Sequence, residues 1–215
     1  MIFVAEIGSN HKGIMAIAHE MIRQSALAGA DIAKFQFRDP HDPIRGLAIN
    51  NASQLADWCD HYGIELMASI FSFEALELAK SIGMNRYKIA YQMKNSGLAG
   101  AIMREGKETF ASGIENGRIN QNVRGIACVS CYPTYPRDVW IPDSFSDRPG
   151  DYYGYSSHVH GISDALVAVA RGAKYIEKHV TMDKTECSIK DNAFSLSFDE
   201  FQMMVFVGTE MARLL

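Results

Sequence analysis

Cysteine is scarce in this sequence: four residues, Cys59, Cys128, Cys131 and Cys187, are spread over 215 positions. So few, so scattered, cannot staple a domain of this size, which excludes a disulfide-built scaffold and predicts reduced thiols. Cys128-Val-Ser-Cys131 has the spacing of a C-x-x-C pair. No second pair follows to close a zinc site, and no redox-type helix start surrounds it. Positive charge is not in surplus either. Lys and Arg total 21 against 25 Asp and Glu, a formal net charge of −4. That balance argues against a nucleic-acid partner, which needs clustered cations to displace counterions from phosphates. No apolar run approaches the ~20 residues that span a bilayer. Met1 leads straight into Ile2-Phe3-Val4-Ala5-Glu6, without a basic stretch and an apolar segment of export length. The expectation is therefore a cytoplasmic protein with no membrane partner. Missing too is any Pro/Ser-rich or charged linker between two cores, so residues 1–215 read as a single domain.

What the sequence does have is a regular alternation. Short β-rich runs occur at Ile2–Glu6, Asp31–Gln36, Ile64–Ser69, Tyr87–Ala90, Thr109–Ser112, Gly125–Ser130, Tyr153–His158 and Tyr175–His179. Helical periods separate most of them: Ile14–Ala28, a helix opened by Asn51, Phe73–Ile82, Ser96–Arg104, Ile162–Arg171 and Phe198–Arg213. Asn51 with Gln54, and Ser197 with Glu200, have capping-box spacing. The fifth and sixth connections, Gly113–Val123 and Arg137–Gly150, carry Asn-Gly and two prolines and read as loops. Repeated βα units predict a parallel sheet. Polar residues at nearly every strand end favour a closed (β/α)₈ TIM barrel, minimal and with those two connections trimmed, over a doubly wound sheet. An open sheet gathers its ligands at one switch point, whereas a barrel collects them from all its strands.

Alternation along a strand puts Lys34 and Gln36 on one face, and likewise Ser156 and His158, and Glu177 and His179. A lysine in an apolar strand is ordinarily an edge residue with its ammonium in water. Lys34 and Lys88 on two strands of one barrel, with the Ser69 and Ser156 hydroxyls, instead form a cradle for phosphate and carboxylate. A lone histidine at a strand end is ordinarily a hydrogen-bonded structural group. His158 and His179 end the neighbouring seventh and eighth strands, so their imidazoles can converge on a divalent ion. His160, in the turn that follows, is a weaker third candidate. Glu6 ends the first strand before a polar loop; by itself it reads equally as a buried, paired carboxylate.

Six segments resemble one family. Ala5-Glu6-Ile7-Gly8-Ser9-Asn10-His11, Lys34-Phe35-Gln36, Tyr132-Pro133-Thr134, Gly154-Tyr155-Ser156-Ser157-His158, Ile176-Glu177-Lys178-His179-Val180-Thr181 and Asp191-Asn192-Ala193-Phe194-Ser195-Leu196 look like those of the sialic acid (N-acetylneuraminate) synthases, in family order. The resemblance implies a barrel that condenses phosphoenolpyruvate with open-chain N-acetylmannosamine, or a related aldose, and releases phosphate. It implies that His158 and His179 bind Mn²⁺ or Mg²⁺ beside Glu6. Lys34, Lys88, Ser69 and Ser156 would hold phosphoenolpyruvate, and Gln36, Tyr132 and Asp191 the sugar. Glu6 would orient or deprotonate the attacking water, and Ser130 occupies a position where an Asn is usual.

Several positions depart from the pattern. Ala90-Tyr91-Gln92-Met93 replaces a Gly-Ser-Gly-Glu-like run, Ser69 replaces Thr, Ser157 replaces the Asp before the first metal histidine, and the stretch before Asp191 is one residue longer and lacks Gly-Pro. The chain stops at Leu215, and the expectation is a barrel without the family's C-terminal antifreeze-like domain. A separate antifreeze-like protein or a homodimer are the expected macromolecular partners. Two alternatives stand beside the synthase: a related 3-deoxy-ketoacid synthase with another sugar, and a sugar-phosphate-binding barrel that has lost turnover.

Overall fold

The computed structural model describes residues 1–116, 120–186 and 188–215. Cys187 and part of the fifth connection lie outside the described residues. Eight strands, β1 (Ile2–Gly8), β2 (Ile32–Phe37), β3 (Glu65–Ile70), β4 (Tyr87–Ile89), β5 (Thr109–Ser112), β6 (Val123–Cys128), β7 (Gly154–Ser157) and β8 (Tyr175–His179), pair in sequence order into a closed barrel. Every pairing is parallel, and β1 closes the ring by pairing with both β2 and β8. The TIM barrel read from the sequence is thus the observed fold, not the doubly wound sheet.

Period-2 alternation splits each strand between two environments. One set of side chains, including Ala5, Phe35, Ala68, Tyr87, Ala127 and Ile176, packs outward against the helices in the main core. The other points into the barrel, where Val4, Ile32, Met67, Phe110, Ile126 and Tyr175 form a separate apolar layer. The rings of Phe110 and Tyr175 lie 4.5 Å apart, and Tyr153 stacks on Phe110 from below at 6.2 Å. Burying each large ring contributes roughly 1.5–3 kcal/mol. Gly154 starts β7 where a Cβ would lie 2.4 Å from the Tyr175 carbonyl oxygen, so only glycine lets β7 approach β8 there. Two residues further toward the strand ends the inward set turns polar: Glu6, Lys34, Ser69, Lys88, Ser112, Cys128, Ser156 and Glu177.

The helices are α1 (Met15–Leu27), α2 (Gly46–Asn50), α3 (Ala52–Tyr62), α4 (Phe73–Ser81), α5 (Gly97–Arg104), α6 (Ser163–Ala170) and α7 (Phe198–Ala212). Among the described residues no helix follows β5, and the β6–β7 connection carries only a short 3₁₀ turn at Pro136–Asp138. The Ser197–Glu200 capping box opens α7. The expected Asn51 cap does not form. The short helix α2 runs directly into Asn51, whose amide donates to the Leu47 carbonyl at 2.8 Å instead of accepting at the start of α3. Among the described residues no helix is long and apolar enough to cross a membrane.

Candidate active site

At the C-terminal mouth of the barrel the inward polar residues form one connected layer. Lys34 Nζ lies 2.5 Å from Glu6 Oε2 and 3.5 Å from Glu177 Oε1, and it donates to Ser69 Oγ at 3.2 Å. Lys88 Nζ donates to Ser112 Oγ at 2.6 Å and lies 4.0 Å from Glu177 Oε2. Glu177 therefore stands between the two ammonium groups. It also accepts hydrogen bonds from Ser156 Oγ at 3.1 Å and from the Tyr175 hydroxyl. Gln36 donates to Glu6 Oε1 at 3.0 Å. All four charged side chains are almost completely enclosed.

Enclosure and neighbours push these groups in opposite directions. Burial, aided by the Glu177 charge, outweighs Lys34 and lifts the Glu6 carboxyl to about 7. Burial would raise Glu177 as well, but Lys34, Lys88 and the Tyr175 hydroxyl outweigh it and hold this carboxyl at about 2. Lys34 is raised, because Glu177 and Glu6 together outweigh its burial. Burial lowers Lys88, which sits farther from the carboxylates and feels the Lys34 charge. Two carboxyls in one layer thus hold their protons very differently, a pattern characteristic of reactive sites.

Beside this layer stand the two imidazoles, with ring centroids 5.7 Å apart. His158 Nδ1 sits 3.0 Å from the Val129 carbonyl, which accepts only, so Nδ1 carries the proton and Nε2 keeps its lone pair. His179 Nδ1 is buried without a hydrogen-bond partner. Burial lowers the proton affinity of both rings, to about 4 for His158 with His179 adding to the effect. Phe194 packs edge-on against both, and Tyr132 lies 4.2 Å from the His158 ring. A Cβ at Gly8 would lie 3.2 Å from Glu6 Oε1, 3.3 Å from His179 Cε1 and 3.4 Å from Gln36 Nε2, so glycine keeps a small space open between these three side chains. Neutral, oriented imidazoles and an orphaned ring nitrogen fit a divalent ion. Among the described residues no three His, Cys, Asp or Glu side chains converge closely enough to hold one. Two imidazoles would leave its other positions to water or a ligand. His160 is exposed and does not line the mouth.

The eleven residues singled out from the sequence, Glu6, Lys34, Gln36, Ser69, Lys88, Ser130, Tyr132, Ser156, His158, His179 and Asp191, all line one cavity of about 900 Å³, counting the part open to solvent. Glu177 was assigned no role by the sequence, although its alternation with His179 was visible. Ser112, Cys128, Arg38, Arg45 and Lys190 also line the cavity. Of the departures from the family pattern, Tyr91 and Gln92 reach the mouth, while Met93 packs on the core. Ser157 faces outward, hydrogen-bonded to Asp164 and Lys178.

Residues 45–214 match the model of the NeuB family. The chain is 28% identical to the pseudaminic acid synthase of Campylobacter jejuni over 94% of its own length and 71% of that protein's. It is 27% identical to the human N-acetylneuraminate-9-phosphate synthase over 85% and 62% of the two chains. The barrel superimposes on the N-acetylneuraminic acid (sialic acid) synthetase of Leptospira borgpetersenii with a TM-score of 0.82 and 25% identity, covering 99% of this chain and 84% of the other. With a family match across most of its length, and with the closed barrel to carry it, this chain belongs to the NeuB family.

Proposed function

We propose that the mouth joins phosphoenolpyruvate to the aldehyde carbon of an open-chain amino sugar, N-acetylmannosamine or a related aldose, giving a sialic-acid-like 3-deoxy-ketoacid and phosphate. The observation that carries this reading is the pair of buried lysines on either side of one carboxylate, next to two neutral imidazoles. Lys34 and Lys88, with the Ser69, Ser112 and Ser156 hydroxyls, match a small polyanion bearing phosphate and carboxylate groups. A trianion in an acidic protein needs such local cations.

In the reaction the enol carbon forms a bond to the aldehyde carbon, and the aldehyde oxygen takes a proton. The carbon bearing the phosphate ester, now cationic, adds water, which loses a proton; the adduct then collapses to a ketone as its C–O bond to phosphate breaks and its hydroxyl proton passes to the leaving phosphate. Glu6, lifted to about 7 by burial, is suited to take the proton from that water near neutral pH. Gln36 fixes the Glu6 carboxyl by donating to Oε1. The lysines stay in place throughout and hold the departing charge. His158 and His179 would hold Mn²⁺ or Mg²⁺, which when bound supplies polarisation of the aldehyde. Gln36, Tyr132 and Asp191 are the proposed sugar contacts, with Ser130 lining the same cavity.

A second reading, a sugar-phosphate-binding barrel without turnover, is favoured by Tyr91, which fills part of the mouth with Lys94 Nζ 3.9 Å over its ring. One experiment separates the two: phosphate release from phosphoenolpyruvate with Mn²⁺ across a panel of aldoses and N-acetyl amino sugars. Aldose-dependent release supports the synthase. Tight phosphoenolpyruvate binding with no release from any acceptor supports the binder.

A further inference from the structure

Val4, Ile32, Met67, Phe110, Ile126 and Tyr175 make up the buried apolar layer under the mouth, and of these side chains only that of Tyr175 carries a hydrogen-bond donor. Its ring is held against Phe110, 4.5 Å away between centroids. Room for its side chain comes from Gly154, where a Cβ would lie 2.5 Å from Tyr175 Cβ. Tyr175 and Glu177 share one face of β8, so the hydroxyl reaches up out of the apolar layer and donates to Glu177 Oε2. Ser156 Oγ donates to the other oxygen, Oε1, at 3.1 Å. Each oxygen of this carboxylate is thus supplied by a neutral hydroxyl.

That supply bears on where the lysines stand. Lys34 and Lys88 approach Glu177 only to 3.5 and 4.0 Å, well beyond the ~2.8 Å of a charge-assisted hydrogen bond. Lys88 Nζ donates to Ser112 Oγ at 2.6 Å and, at a long 3.4 Å, to the Ile89 carbonyl, which leaves one of its ammonium protons without an acceptor. Lys88 also lines the cavity. A buried carboxylate oxygen deprived of its hydroxyl donor takes a neighbouring cation instead. For Oε2 that cation is Lys88.

We infer that Tyr175 is a positioning residue: by occupying Glu177 Oε2, its hydroxyl keeps the Lys88 ammonium off the carboxylate and free for an anion entering the cavity. That the anion is phosphoenolpyruvate rests on the proposed function; the division of donors between Tyr175 and Lys88 rests on the geometry alone.

Tyr175→Phe keeps the ring and removes only the hydroxyl. In a crystal structure of this variant Lys88 Nζ should close on Glu177 Oε2 to hydrogen-bond distance, and calorimetry should show phosphoenolpyruvate binding about tenfold more weakly. In a Lys88→Met background the same substitution should change the affinity by no more than about twofold, because the ammonium it protects is gone. A merely structural hydroxyl would cost the same in both backgrounds, and that result overturns the inference. So does a folded variant in which Lys88 keeps its distance from Glu177. If Lys88 closes on Glu177 while phosphoenolpyruvate affinity holds, or if the parent protein does not bind phosphoenolpyruvate, the positioning role stands or falls on the crystal structure and the proposed function is the reading that fails. Should Tyr175→Phe not fold, Tyr175→Met removes the same hydroxyl with a more adaptable side chain. Unfolding of both variants makes the hydroxyl a brace and overturns the inference.

Discussion

Glu177 and Lys178 are adjacent on β8, point to opposite sides of the barrel wall, and each anchors a buried lysine–carboxylate network. Outside, Lys178 donates to Ser157 Oγ at 2.8 Å and to the Val159 carbonyl at 2.5 Å, and lies 3.7 Å from Asp164 Oδ1. One ammonium meets one carboxylate, a hydroxyl joins them, and neither faces the cavity. Inside, two ammoniums and two carboxylates share a layer open to the mouth, and one carboxyl is driven to about 7 while the other is held at about 2. The same residue types make a brace on one face and the charged floor of an open cavity on the other. Crowding of like charges and access to a cavity make the difference. The comparison also places Ser157, a departure from the family pattern, in the brace and away from the mouth.

The outer network should fail structurally. Lys178→Met strands a buried Asp164 carboxylate and should cost about 3–5 kcal/mol of stability. A urea midpoint close to that of the parent protein would mean the outer pair is no brace. The inner network should fail chemically. Lys34→Met should lower kcat/KM for phosphoenolpyruvate on the order of 10²–10³-fold, about 2.7–4 kcal/mol, while the protein stays folded. Unaltered kinetics in a folded variant would mean that the inner network takes no part in holding phosphoenolpyruvate. Between the cradle and the rim, His158→Ala should weaken Mn²⁺ binding by roughly 10- to 100-fold, about 1.4–2.8 kcal/mol. Titration calorimetry on the apoprotein reads it, and parent-like affinity sinks the two-imidazole site. The smallest effect belongs to Ser69→Ala, which deletes the hydroxyl 3.2 Å from Lys34 Nζ. It should cost about 0.5–1.5 kcal/mol of phosphoenolpyruvate affinity. A larger loss would make the hydroxyl, and not the lysine, the principal contact.

Much of this was legible in the sequence because strand alternation is a local property. All eight strands follow from it, Thr109–Ser112 and Tyr175–His179 with unchanged limits. The same period puts Lys34, Ser156, His158 and His179 on inward faces. Glu177 could be placed on the His179 face, but its partners on β2 and β4 become neighbours only when the ring closes, so its role between two lysines was hidden. Asn51 was misread because a helix cap depends on what precedes it, and five residues of α2 leave no free turn for its side chain to cap. Arg45 and Lys190 reach the mouth from connections that have no periodicity to report where they point.

Under the proposed function, the aromatic layer beneath the mouth would set an order of ligand entry as well as forming a core. Among the described residues, Phe110, Tyr175 and Tyr153 fill the barrel bore below the lysines, so the cavity is a well that opens at the mouth. A ligand destined for the bottom has to arrive before anything settles near the rim. Under the proposed function, a product left at the bottom would depart only once the upper occupant had gone. If the mouth is the site of the proposed reaction, these three rings would impose sequential, last-in first-out traffic from beneath it.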